Sequence, residues 1–177
     1  SNCYSNCSVS GVSLTRYIGG LVGANYYGTV SGCYATGPVS GNASSSVGGL
    51  VGYSYGTVNN CYATGSVSGG TSIYVGGLTG NNGDHGAINN CYATGPVSSS
   101  SSSVGGLVGI LGTNATVSNG YYDSQTTLQS DTGKGEPRTT TQMKTQSTFT
   151  GWDFTDIWSI DTSGSVNSGY PYLTNNH

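Results

Sequence analysis

The chain is 177 residues long, which suits one domain, and only 6% of it is charged, with a net charge of −3. Residues 1–120 carry one base, Arg16, and one acid, Asp84, so there is no basic patch, which argues against nucleic acid or an anionic membrane surface as a partner. No run of about 18 apolar residues occurs, so insertion of a helix into a membrane is not expected. Such low charge with 31 Gly suits a disordered linker, but the 14 Tyr and the regular recurrence of Val, Leu and Cys point to a packed fold of small residues. Five Cys in a polar, Ser/Thr-rich chain point to an extracellular, secreted or cell-surface setting. The chain has neither an initiator Met nor a signal peptide, and it starts inside a repeat, so processing or omission of sequence before Ser1 is expected.

Residues 1–11 read as a partial repeat. Cys3 and Tyr4 match Cys33 and Tyr34, and Val9-Ser10-Gly11 matches Val39-Ser40-Gly41. Cys7 stands where later copies have Gly37, Gly65 and Gly95, and a bent N-terminus would let Cys3 and Cys7 form a local disulfide.

One phrase then occurs four times: Ile18-Gly19-Gly20-Leu21-Val22-Gly23, and its copies at 47–52, 75–80 and 104–109. Between copies lies a second phrase, Cys33-Tyr34-Ala35-Thr36-Gly37, repeated at 61–65 and 91–95. A period of 28 to 30 residues means stacked units, each unable to bury its own apolar face. Helical spacing is absent from residues 1–120, whereas short β segments alternate with Gly-rich turns. Each repeat offers three strands, at 57–63, 66–68 and 75–79 in the second full copy. The predicted fold is all-β, a parallel β-solenoid of about four coils.

Positions that stay apolar across copies are the expected core. These are Val30/Val58/Ile88/Val117, Val39/Val67/Val97, Ile18/Val47/Val75/Val104, Leu21/Leu50/Leu78/Leu107, Cys33/Cys61/Cys91 and Ala35/Ala63/Ala93. Thr79 replaces a Val, so its column is expected to be half-buried. Val47 and Leu50 both face inward only if the Gly-Gly between them makes a corner. A second corner falls at Asn59-Asn60, and Asn60, Asn90 and Asn119 are expected to bond as a ladder.

Alternation from Cys61 sends Tyr62 outward, so Tyr34, Tyr62 and Tyr92 form an expected exposed column, extended by Tyr122. Two readings stand for it: a shield that stabilises coil register, or a strip for glycans or lateral contact with another chain. The Cys column is read first as small buried hydrophobes and second as disulfides between coils. Asn6, Asn42 and Asn114 lie in sequons and are candidate glycan acceptors.

From residue 121 the repeat stops. Trp152, Trp158, Phe149, Phe154 and Met143 all lie in residues 121–177, an expected C-terminal capping segment following the 1–120 solenoid. It is expected to hold one short Thr-capped helix within 139–147 and an extended Tyr170-Pro171-Tyr172-Leu173.

These phrases resemble the GLUG-motif repeats of bacterial surface and secreted proteins, whose core reads much like Val-Gly-Gly-Leu-Val-Gly. The tail, with Thr140-Thr141-Gln142-Met143-Lys144, Phe149-Thr150-Gly151-Trp152-Asp153-Phe154, Trp158 and Tyr170-Pro171-Tyr172-Leu173, resembles the segment that often closes such arrays. The resemblance implies a stalk or adhesive region without a catalytic role.

No catalytic motif appears. His85 sits in a turn beside Asp84, His177 is terminal, and Asp153 and Asp156 suit caps and turns. The loop at 131–136 lacks the acids of a calcium site. The expected function is therefore a non-enzymatic structural or adhesive module with no cofactor and no metal. Its partners are expected to be further copies of itself, end-on as a fibre or side by side, or surface glycans. A carbohydrate-binding module using Tyr34, Tyr62 and Tyr92 is the alternative. Thr36, Thr64 and Thr94 give thin support for an ice- or mineral-binding face.

Overall fold

The computed structural model describes residues 1–12 and 15–176; His177 lies outside the described residues. It is a parallel β-solenoid in which three four-stranded ladders and one longer ladder run along the stack. The third coil has four strands, Ala87–Ala93 running unbroken through the Asn90 corner, whereas the first and second full coils have five short strands where the sequence suggests three. In the second they are Thr57–Asn59, Tyr62–Ala63, Val67–Ser68, Tyr74–Gly76 and Thr79–Asn82. The two longer segments break at the expected corners, at Asn60 and at Gly77-Leu78. Equivalent residues pair in register: Val58 with Val30 and Ile88, Val67 with Val39 and Val97, and Val75 with Val47 and Val104. In-register parallel pairing sets each residue about 4.8 Å from its copy, so a repeated sequence becomes columns.

Those columns bury the expected residues, but in two cores rather than one. Cys33, Cys61 and Cys91 pack with the Ala column, Leu50, Leu78, Leu107, Val58 and Ile88, with Leu21 partly buried beside them. Ile18, Val47 and Val75 pack separately with Val39, Val67 and Val97. Thr79, expected to be half-buried, is 0% exposed, because Val51 and Val108 stack directly on either side of it.

The glycines of the repeated phrase act by closeness, and none of them has positive φ. A Cβ on Gly49 would lie 2.1 Å from the Gly77 carbonyl oxygen and 3.0 Å from the Ala63 Cβ on the opposite wall. Contacts under 3.0 Å force backbone to move. The coil is pinched there, and the pinch separates the two cores.

The other corner does need left-handed backbone. Asn60, Asn90 and Asn119 have φ of 51°, 50° and 51°, a region Asn tolerates better than most residues. Asn90 Nδ2 donates to Asn60 Oδ1 at 3.3 Å, and Asn119 Nδ2 to Asn90 Oδ1 at 3.1 Å. The next residue is Cys for a hydrogen-bonding reason. Cys33 N–H donates to Cys61 Sγ at 3.4 Å, while the Cys61 thiol donates to Asn59 O at 3.1 Å. Both Cys3 and Cys7 are free and exposed, correcting the expected disulfide. Tyr4–Ser5 pairs in register with Tyr34–Ala35 and holds the segment between them extended.

The solenoid does not end at residue 120. Thr116–Asp123 is one strand, paired with Ala87–Ala93, and Glu136–Arg138 adds a further parallel strand. Gly120-Tyr121-Tyr122 takes the place of Cys-Tyr-Ala, so Tyr121 continues the Tyr column and Tyr122 turns inward, the reverse of expectation. Residues 126–134 then satisfy the backbone edge of the last coil with side chains. Thr126 Oγ1 donates to Thr94 O, Gln129 Nε2 to Val97 O, and Lys134 Nζ to Val104 O and Gly109 O. Asp131 Oδ1 accepts from Gly106 N at 2.8 Å.

Two short helices follow the last full coil among the described residues: α1 (Ser124–Thr127) and α2 (Thr140–Met143). Asp123 caps α1, and Thr139 caps α2 in a reciprocal box with Gln142. From there the tail folds back along the flank of the stack as a strap. It includes the antiparallel pair Trp158–Ser159 and Tyr172–Leu173 and reaches the first coil, where Asn176 Nδ2 donates to Gly32 O at 3.1 Å.

Candidate functional site

The strap lies on the Tyr column. Tyr4, Tyr34, Tyr62 and Tyr92 do project out of the coil and stack with centroids 5.2, 4.8 and 5.1 Å apart, nearly parallel. Yet Tyr62 is 3% and Tyr92 0% exposed, because Trp152, Trp158, Phe149, Met143, Tyr170 and Leu173 cover them. The expected exposure of Tyr34, Tyr62 and Tyr92 is thereby overturned: alternation directs the rings outward, and a later part of the same chain occupies that side. Tyr92 donates to Pro171 O at 2.6 Å and accepts from Asn167 Nδ2 at 2.6 Å. Desolvation under the strap raises the pKa of both Tyr62 and Tyr92. Thr36 is exposed, Thr64 half-buried and Thr94, whose carbonyl accepts from Thr126, buried, so the three do not form one open row.

A second aromatic group is open to solvent. It sits at the corner that follows the repeated phrase, where the first coil reads Asn25-Tyr26-Tyr27-Gly28, the second Ser54-Tyr55-Gly56 and the third Asp84-His85-Gly86. Tyr17 stacks on Tyr53 at 4.7 Å and Tyr27 on Tyr55 at 5.9 Å, while Tyr53 meets Tyr55 edge-on at 4.8 Å. Tyr26 bridges the two pairs, 5.8 Å from Tyr53 and 6.2 Å from Tyr55. Its phenol is raised above the ordinary range, chiefly by its hydrogen bond with Tyr17; desolvation raises that of Tyr53. Tyr26 is 58% and Tyr27 84% exposed. Beneath the corner, Asn25 Nδ2 donates to Gly28 O and Ser54 Oγ, and Asn82 Nδ2 to Gly86 O. These bonds hold the turns that present the rings.

Sequence reasoning passed over this group, because the corner is not repeated identically. Aligning Val22-Gly23-Ala24-Asn25-Tyr26-Tyr27 with Val51-Gly52-Tyr53-Ser54-Tyr55 exposes it. A cleft of about 510 Å³ opens between Tyr27, Tyr55, Gly56 and Thr57 on one side and Asp84 and His85 on the other. Asp84 Oδ1 accepts from Thr113 N at 2.8 Å.

The remaining candidates are placed as follows. Asn6, Asn42 and Asn114 are all exposed. Asp153 Oδ1 accepts from Thr155 N and Asp156 N and so shapes a turn. The buried thiol of Cys33 is raised by its hydrogen bond with Cys61 and by desolvation, and that of Cys61 by desolvation. Among the described residues no group of three or more His, Cys, Asp or Glu side chains converges to hold a metal ion. No helix of the described residues is long and apolar enough to cross a membrane.

The comparisons with known proteins agree with this architecture. A protein of Evansella cellulosilytica, provisionally named a Gly-rich membrane protein, is 43% identical over 146 residues. The match takes in 81% of this chain but spans only 11% of that relative's length. A crystal structure from Bacteroides ovatus, provisionally titled an immunoglobulin A1 protease, superposes with a TM-score of 0.67 at 23% identity. That superposition covers 99% of this chain and 57% of the other, and it shows the shared fold. The pattern described as the GLUG motif matches residues 15–40, 43–68 and 71–98, three matches in tandem. Residues 15–98 of this chain thus carry three tandem matches to the GLUG motif.

Proposed function

We propose that the chain is a non-catalytic structural and adhesive section of a larger extracellular or cell-surface protein. The observation that carries this reading is where the chemistry lies. The repeated apolar, Cys and Asn columns serve packing or backbone bonding, while a cluster of exposed rings, Tyr26 and Tyr27, stands at one corner outside them. The small share of its relative that the chain spans fits a section rather than a complete machine. The lone His85 and the turn-forming Asp153 offer no nucleophile with a base beside it.

Of the two ways for a further copy to dock, end-on stacking is disfavoured by the occupied edge of the last coil. Lys134, Gln129 and Asp131 already fill the groups that an incoming coil would need. Lateral contact leaves those bonds intact. The test is localisation: antibodies raised against the folded chain should label intact cells of the organism that makes it. Labelling only after the cells are opened would overturn the proposal.

A further inference from the structure

We infer that the open tyrosine corner is a binding site for an uncharged pyranose-based glycan. The inference deepens the adhesive reading by naming its ligand class, and it rests on that reading.

Tyr27 is the first ground. It is a bulky residue held at φ of 60° and left 84% exposed. Left-handed backbone is strained for a bulky residue, and Asn or Gly would fill the turn with less strain. Asn114 takes that conformation at the equivalent corner of the last coil, with φ of 56°. Solenoid packing gives little reason for Tyr27, which is 84% exposed with its ring set against Tyr55 at the surface.

Ring geometry is the second ground. Tyr27 and Tyr55 lie within 9° of parallel, one coil apart along the stack. Stacked in this way, the two rings cover the faces they share, and the outer face of the 84% exposed Tyr27 is left for the flat C–H face of one pyranose.

Cleft polarity is the third. Tyr27, Tyr55, Gly56, Thr57, Asp84 and His85 supply aromatic faces, hydroxyls, a carboxylate and an imidazole, with no aliphatic side chain and no Lys or Arg among them. An anionic polymer requires cations, which this lining lacks. Equatorial hydroxyls on a neutral sugar need acceptors at the rim. One Asp84 oxygen is fixed by Thr113 N, which points the carboxylate and leaves its second oxygen for a ligand hydroxyl. The volume, about 510 Å³, lies in the range of small-molecule sites.

The experiment titrates the intact 177-residue chain with cellohexaose, xylohexaose, mannohexaose and chitohexaose, followed by calorimetry and tyrosine NMR. At least one should bind saturably. Tyr27→Ala and Tyr55→Ala should each weaken that binding by about tenfold, with Asp84→Asn also weaker and Leu128→Ala, at a distant exposed site, unchanged. Far-UV circular dichroism of each variant verifies the fold. Absence of binding by all four sugars, or binding that survives both Tyr substitutions, overturns the inference. So does a dimer in sedimentation that is lost in Tyr27→Ala, since a second copy would then be the occupant. Surface labelling without sugar binding would leave the surface module standing and sink only this site. Labelling confined to opened cells would sink the module itself.

Discussion

Trp158 donates its indole N–H to the side-chain oxygen of Asn60 at 3.4 Å, although the two are 98 positions apart in the chain. That oxygen also accepts from Asn90 Nδ2, so the ladder that turns the coils is bonded directly to the strap. Trp152 Nε1 repeats the arrangement on Asn119, donating to its carbonyl at 3.1 Å. The corner ladder and the tail are therefore one hydrogen-bonded unit.

Weakening that unit should weaken the whole protein. Tyr92→Phe removes the donor to Pro171 O and the acceptor of Asn167 Nδ2, and because Asn167 Nδ2 still donates to Pro171 O the cost should be only about 0.5–1.5 kcal/mol. Trp158→Ala opens a cavity in a fully buried place and should cost about 3–5 kcal/mol. Urea unfolding followed by circular dichroism measures both, and an unchanged midpoint in Trp158→Ala would show that the strap is not docked.

Thr79→Val should stabilise. The Thr79 hydroxyl is fully buried without a hydrogen-bond partner, between Val51 and Val108. Val is nearly isosteric and removes a desolvation cost of about 1–3 kcal/mol. A higher urea midpoint at constant slope is expected; a lower one would mean that the hydroxyl has a partner.

Alkali should unfold the chain. Cys33, Cys61, Tyr62 and Tyr92 all have raised pKa values in the fold and keep their protons when the unfolded chain has begun to lose them. The unfolded state then binds fewer protons, so stability falls as pH rises. Their contribution is complete below the ordinary thiol value of 9.0, and the loss steepens beyond the ordinary phenol value of 10.0. In the same buffers DTNB should label Cys3 and Cys7 in the native protein and Cys33, Cys61 and Cys91 only after unfolding. Rapid native labelling of Cys61 would contradict its burial.

Uncapping the last coil should create association. Lys134→Ala frees the Val104 and Gly109 carbonyls, and Asp131→Ala frees the Gly106 amide. Both variants should retain β-type circular dichroism but sediment faster as concentration rises, whereas the parent should not. Concentration-independent sedimentation of the double variant would show that this edge is protected by other means.

The columns, the two corners and the Asn ladder were readable from the sequence, because in-register stacking turns repetition directly into position. Leu50, Cys61 and Val67 fall where periodicity places them. The failures arise wherever contact is long-range. Tyr62 was directed correctly out of its coil, but nothing local announces that Trp158 returns to cover it. The Gly-Gly corner is legible, but the crowding that also demands glycine there is not: a Cβ on Gly49 would meet the Gly77 carbonyl of the next coil and Ala63 on the far wall. Tyr27 and Tyr55 were missed because their corner varies in length, and position-by-position comparison discards what does not align.

The strap also changes how the protein should respond to force. A bare stack has only neighbour-to-neighbour contacts, so tension at its ends peels it coil by coil. Here Asn176 grips the first coil, Trp158 the second and Trp152 the fourth, so no coil can leave without displacing a tail that holds the others. A ladder that would yield in small steps is clasped into an element that resists as one piece and then gives way at once.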